Sequence, residues 1–184
     1  MAKRAPAGNG GKPPGRMIKP SHKDVEILAT LLVAYPQISR VTFDPKKKAL
    51  NMAFLCRGPI GKRARDSICK SYLESLSVYH DIVGNRASVK ECSWEKMDDF
   101  YSFVAERDVA SLTPGELNLT VELIEDKVEV IYASEDAEFP DAAEELGMSA
   151  RVFLQDMINQ VRNLESTRKL VALREGERVL VFDK

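Results

Sequence analysis

The chain has 184 residues, 44% of them hydrophobic, and 27 Lys/Arg nearly balance 28 Asp/Glu for a net charge of −1. That apolar content builds a core and excludes a wholly disordered chain. The longest apolar run, residues 27–35, falls well short of the roughly 20 residues that span a bilayer, which argues against a membrane protein.

The near-zero total hides a polarised layout. Residues 1–23 carry six Lys/Arg and no acid, residues 40–70 nine basic and two acidic residues (+7), residues 91–150 three basic and seventeen acidic (−14), and residues 151–184 return to +2. Such asymmetry points to an anionic partner for the basic part, or to neutralisation by the acidic part.

In chain order, residues 1–20 hold four Pro, four Gly and five basic residues, a composition expected to form a flexible cationic arm. No apolar stretch follows that would make it a secretory signal, so a cytoplasmic location is expected. Ser21 offers an N-cap to a helix with Val25, Leu28, Leu32 and Tyr35 on one stripe, stopped by Pro36. Val41 and Phe43, then Leu50, Met52, Phe54 and Cys56, alternate as two strands around Asp44-Pro45-Lys46-Lys47-Lys48, so a hairpin is predicted. Ala64, Ile68, Tyr72, Leu76 and Tyr79 follow at helical spacing. A short strand is expected over residues 87–92, then a helix capped by Ser93 with Met97, Phe100, Tyr101 and Val104 on one face.

Thr113-Pro114-Gly115-Glu116 reads as a boundary. Leu117, Leu119, Val121 and Leu123 alternate beyond it, and Val128, Val130 and Tyr132 alternate back, predicting a second hairpin. A helix starting at Pro140 and stopped by Gly147, a longer one capped by Ser149, and a final hairpin flanking residues 174–177 complete the chain. The predicted fold class is α+β in two small modules. Residues 21–112 form a basic α-β-β-α-β-α module and residues 113–184 an acidic β-hairpin/helix/β-hairpin module, after the arm of residues 1–20.

Lys62, Arg63 and Arg65 open a helix, where each cation opposes the macrodipole by about 0.3–1 kcal/mol. Helix-start amides beside Lys and Arg make a corner for phosphate. Arg40 and Arg57 lie at the same end of the first hairpin, and Lys46, Lys47 and Lys48 at its tip about 25 Å away, taking roughly 3.3 Å per residue. These eight residues are the expected phosphate contacts.

Gly58-Pro59-Ile60-Gly61 resembles the GxxG loop of KH nucleic-acid-binding domains, and the order helix, strand, strand, loop, helix, strand is similar to a bacterial-type KH unit. The resemblance covers about a third of the chain and lacks the short helix that precedes that loop. Residues 140–184 resemble a winged helix, with Gly147 at the turn and the final hairpin as wing. This resemblance implies a groove-facing helix on which Arg151, Gln155, Asn159 and Arg162 would read base edges.

No nucleophile motif, Walker loop or His-Glu-x-x-His is present, so no catalysis and no cofactor are expected. Cys56, Cys69 and Cys92 are widely spaced, and His22 and His80 stand apart from them, so no metal is expected and the thiols should stay reduced. His80, near a helix end, is expected at the surface. The sequence therefore predicts a non-enzymatic nucleic-acid-binding (RNA or DNA) or nucleoprotein-associated factor. The alternative is a protein-interaction or assembly module with complementary basic and acidic surfaces, docking an acidic protein surface or oligomerising.

Overall fold

The computed structural model describes residues 22–131, 150–176 and 178–183. The expected arm, the Ser21 and Ser149 caps and the helix expected at Pro140 lie outside them. The elements are α1 (His22–Ala34), β1 (Arg40–Asp44), β2 (Ala49–Cys56), α2 (Lys62–Val83), β3 (Lys90–Met97), β4 (Phe100–Asp108), α3 (Pro114–Glu125), α4 (Ala150–Arg162), β5 (Leu170–Glu175) and β6 (Arg178–Asp183).

The alternation in β1 and β2 does what it predicts: Val41 lies opposite Met52 and Phe43 opposite Leu50 in an antiparallel pair. Asp44 closes the turn through Oδ1, which accepts from the Lys46 amide at 3.0 Å. Among the described residues the strands form one six-stranded sheet in the order β3-β4-β2-β1-β5-β6, antiparallel at every step. The chain is thus a mixed α+β fold. The final hairpin is present, and its first strand pairs with β1, Phe43 opposite Leu170, so the sheet runs continuously past the boundary expected at Thr113.

Four helices of the described residues cover one face of this sheet. Ile27, Leu28, Leu31 and Leu32 of α1, Tyr72 and Leu76 of α2, Leu117 and Ile124 of α3, and Ile158 and Val161 of α4 bury against Phe43, Leu50, Met52, Phe54 and Phe103. Arg174 of β5 donates to the Leu32 carbonyl and so ties the sheet to α1.

Two elements differ from expectation. Residues 93–104 form the β3–β4 hairpin instead of a helix. Met97, Phe100, Tyr101 and Val104 satisfy a helical spacing, but Asp98 adopts φ 45°, a turn conformation that Asp tolerates. The competing demand is backbone hydrogen bonding, because the side of β2 away from β1 needs a partner, and β4 supplies one from Ala49 to Cys56. Residues 117–123 are helical instead of extended. Thr113 caps α3 by accepting from the Glu116 amide at 3.1 Å, with Pro114 in the first turn. The apparent boundary is therefore a helix start. Leu117, Val121 and Ile124 form its buried stripe, and the alternating leucines between them concealed it. Among the described residues the return strand is a bridge between Cys56 and Val130, with Ile131 N donating to the Leu55 carbonyl at 2.7 Å.

Candidate binding surfaces

The loop from Arg57 to Gly61 leads β2 into α2, with Gly58 at φ 78°, a conformation glycine adopts without strain. Helix α2 then starts with no side chain capping Gly61 and no acid in its first turn. Lys62 and Arg63 are exposed there. Arg65 turns inward, its guanidinium 4.5 Å from the centroid of the Tyr101 ring, and its carbonyl accepts from Trp94 Nε1 at 3.1 Å. The uncapped amides and the two outward cations sum to a local positive field for an anion to meet.

The other expected phosphate contacts divide. Arg40 pairs with Glu95 at 2.7 Å, Lys47 with Glu106 at 2.7 Å, and Arg57 with Glu129 at 2.7 Å. All three partners belong to the acidic stretch of residues 91–150. The Glu106 carboxylate holds the Lys47 ammonium above its ordinary range. Lys46 and Lys48 stay exposed at the hairpin tip. Basic and acidic segments therefore meet within one molecule at three points, through solvent-screened pairs that contribute little to stability.

The sheet face opposite the helices carries a groove of about 490 Å³. Val104, Val171, Leu173 and Phe182 give it an apolar floor, and Arg40, Lys47 and Lys169 alternate with Asp44, Glu95 and Glu106 around it. Its charges cancel in number, three against three, so the groove offers a polyanion no net attraction.

Behind the hairpin lies a buried polar network that the sequence reading missed. Arg107 is fully buried on β4. Its Nε donates to Glu116 Oε1, its Nη1 to the Val89 carbonyl, and its Nη2 reaches Ser111 Oγ at 3.4 Å and His80 Nε2 at 3.1 Å. Glu116 is fully buried, and His80 is only 5% exposed, which corrects its expected surface position. Asp108 accepts from the Ser88 and Val89 amides and from Ser111 Oγ at 2.8 Å. Against burial, which raises it, these hydrogen bonds and the Arg107 charge hold its carboxyl below the usual range. The only legible signal was Glu116, three residues after a Thr-Pro, which marks a helix start.

No family model, curated protein or solved structure matches the chain. The site reading therefore rests on geometry. Helix α4 buries Phe153, Met157, Ile158 and Val161 and leaves Gln155 and Asn159 exposed. Arg162 is spent locally, donating to the Leu112 carbonyl at 2.7 Å and to Asn159 Oδ1 at 3.4 Å. The Arg151 side chain and the first helix expected of a helix-turn-helix lie outside the described residues. The expected wing is an integral pair of sheet strands. Among the described residues no helix is long and apolar enough to cross a membrane, and no cluster of His, Cys, Asp or Glu could hold a metal ion.

His80 Nε2 lies 3.1 Å from Arg107 Nη2 and 3.3 Å from Glu116 Oε2, while Nδ1 is buried without a hydrogen-bond partner among the described residues. Burial, with Arg107 alongside, pushes the His80 pKa below its ordinary value, against the pull of Glu116. The folded state then binds fewer protons than the unfolded state, in which a His titrates near 6.5. His80's contribution is present above about pH 6.5 and is lost as pH falls from there towards its lower folded pKa. Urea midpoints should drop from pH 7.5 to pH 5 in the parent, and that drop should shrink in His80→Gln. An equal drop in both proteins removes His80 as the cause.

Proposed function

We propose that this chain is a non-enzymatic factor that binds nucleic-acid backbone, holding phosphate at the start of α2 from a cytoplasmic location. The observation that carries the reading is the pair of outward cations, Lys62 and Arg63, on a helix start with neither a side-chain cap nor an acid in its first turn. The position costs stability, and an anion there removes the cost. Lys46 and Lys48 add a second contact point, and Arg57 a third when its exposed pair with Glu129 opens.

Titrating RNA and duplex DNA at two salt concentrations tests it. With about two to five cations engaged, log Kobs should fall with log salt at a slope of about −2 to −4.5 on duplex DNA, since each neutralised phosphate contributes about −0.9. Binding that is absent or indifferent to salt overturns the proposal. The Lys62→Glu/Arg63→Glu double variant separates site from fold because two readouts move in opposite directions. Binding should weaken and the slope should shrink by about 2. Folding stability should rise by about 1–3 kcal/mol in denaturant titrations, since two unfavourable charges become favourable at that helix end.

The three pairs between basic and acidic segments favour a second reading, an assembly module using the same complementary charges between molecules. Light scattering without nucleic acid discriminates: a defined oligomer that salt dissociates supports assembly through charge.

A further inference from the structure

The two edges of the sheet are built differently. Strand β3 at one edge reads Lys-Glu-Cys-Ser-Trp-Glu-Lys-Met, with charges at Lys90, Glu91, Glu95 and Lys96. Charges of that kind keep an open edge from pairing with another chain. Strand β6 at the other edge reads Arg-Val-Leu-Val-Phe-Asp, with charge only at its two ends and no Pro. Among the described residues it pairs with β5 alone. Leu180 is 42% and Phe182 44% exposed, and both lie on the sheet face away from the helices, beside the groove that Phe182 lines.

We propose that the β6 edge is a homodimer interface, occupied by β6 of a second copy of this chain in antiparallel pairing. A two-fold axis normal to the sheet is the closed arrangement, and it keeps the helices of both copies on one side. It pairs only residues from the same face, so the two positions facing one another must sum to an even number. With Val181 on the axis, Leu180 of each copy faces Phe182 of the other, and both exposed apolar side chains are covered twice over by aliphatic–aromatic pairs. Antiparallel pairing also puts the two copies' Arg178 at opposite ends of the seam. Parallel pairing would stack Arg178 on Arg178. Two six-stranded sheets then become one of twelve, held by backbone hydrogen bonds and apolar contact and therefore insensitive to salt. This separates the interface from assembly through charge.

Sedimentation equilibrium on the full chain tests the interface in 0.1 M and 1 M salt. The expected mass is twice 20.6 kDa for the parent in both buffers. The Leu180→Lys/Phe182→Lys variant should be a monomer with unchanged circular dichroism. The Met97→Lys/Phe100→Lys variant, altered at the charged edge, should remain a dimer. A monomeric parent at about 100 μM, or a dimer that persists in the β6 variant, overturns the proposal. Should the β6 variant unfold, hydrogen exchange in the parent decides. Slower exchange of amides 178–183 at 100 μM than at 1 μM supports the interface, and exchange independent of concentration overturns it. None of these outcomes depends on nucleic-acid binding.

Discussion

An Arg107→Met variant should lose about 3–5 kcal/mol of folding stability, the range for removing one partner of a buried ion pair. Methionine fills comparable volume, so the loss comes from charge. Glu116, fully buried, loses the cation that offsets its desolvation. The Val89 carbonyl loses the Nη1 donor, and His80 Nε2 loses the Nη2 group at 3.1 Å. Three elements separate at once, because the guanidinium is where β4, the start of α3 and the end of α2 converge. Removing both charges together is a different experiment. An Arg107→Met/Glu116→Leu double variant leaves no orphaned buried charge and should recover much of the loss, giving a coupling energy of about 1–3 kcal/mol. Urea titrations of the parent, both single variants and the double variant measure it. A loss below about 1 kcal/mol for Arg107→Met, or additive single losses, would show that the network does not hold these elements together.

Such a network could not be read from the chain. Arg107 sits among alternating residues that look like any strand end, and its partners Glu116, Val89 and His80 lie 9, 18 and 27 residues away. Only strand pairing brings them together. Helix α2, by contrast, was legible because Ala64, Ile68, Tyr72, Leu76 and Tyr79 repeat one period for four turns, long enough to exclude a strand. Short stretches carried no such margin. Met97, Phe100, Tyr101 and Val104 fit a helix period, yet Trp94 and Phe103 face each other across a hairpin. Leu117 and Val121 belong equally to an alternating strand and to a helical stripe, and the Thr113 cap decides between them. The charge segregation was visible as sums. Which cations remain outward was not, because Glu95, Glu106 and Glu129 reach Arg40, Lys47 and Arg57 only after the sheet forms. That pairing, with Arg65 turned onto Tyr101, leaves four of the eight expected phosphate contacts outward, Lys62 and Arg63 at the start of α2 and Lys46 and Lys48 at the hairpin tip.

The corner depends on packing beneath it, and Phe103 is the test. Its ring is fully buried and meets Tyr72 edge-on at 5.2 Å, Trp94 edge-on at 5.2 Å and Phe54 at 6.3 Å. It thereby joins β4 to β2, β3 and α2. A Phe103→Ala substitution removes apolar contact and leaves a cavity between rings that cannot collapse together, so about 3–5 kcal/mol of stability should be lost. Phe103→Leu refills most of the volume and should cost less than half as much. Unlike the Arg107 loss, this one should not be recovered by removing any charge, since no polar partner is orphaned. The consequence for binding follows from Trp94, which holds the first turn of α2 through the Arg65 carbonyl. Loosening Trp94 should let that turn fray without altering Lys62 or Arg63. In Phe103→Ala, affinity for duplex DNA should therefore fall while the salt slope keeps its parental value, provided the protein is folded at the temperature of the titration. In the Lys62→Glu/Arg63→Glu variant both should change. A slope that shrinks in Phe103→Ala as well would mean that the phosphate contacts lie somewhere the aromatic cluster supports directly, and the corner at α2 would have to be given up.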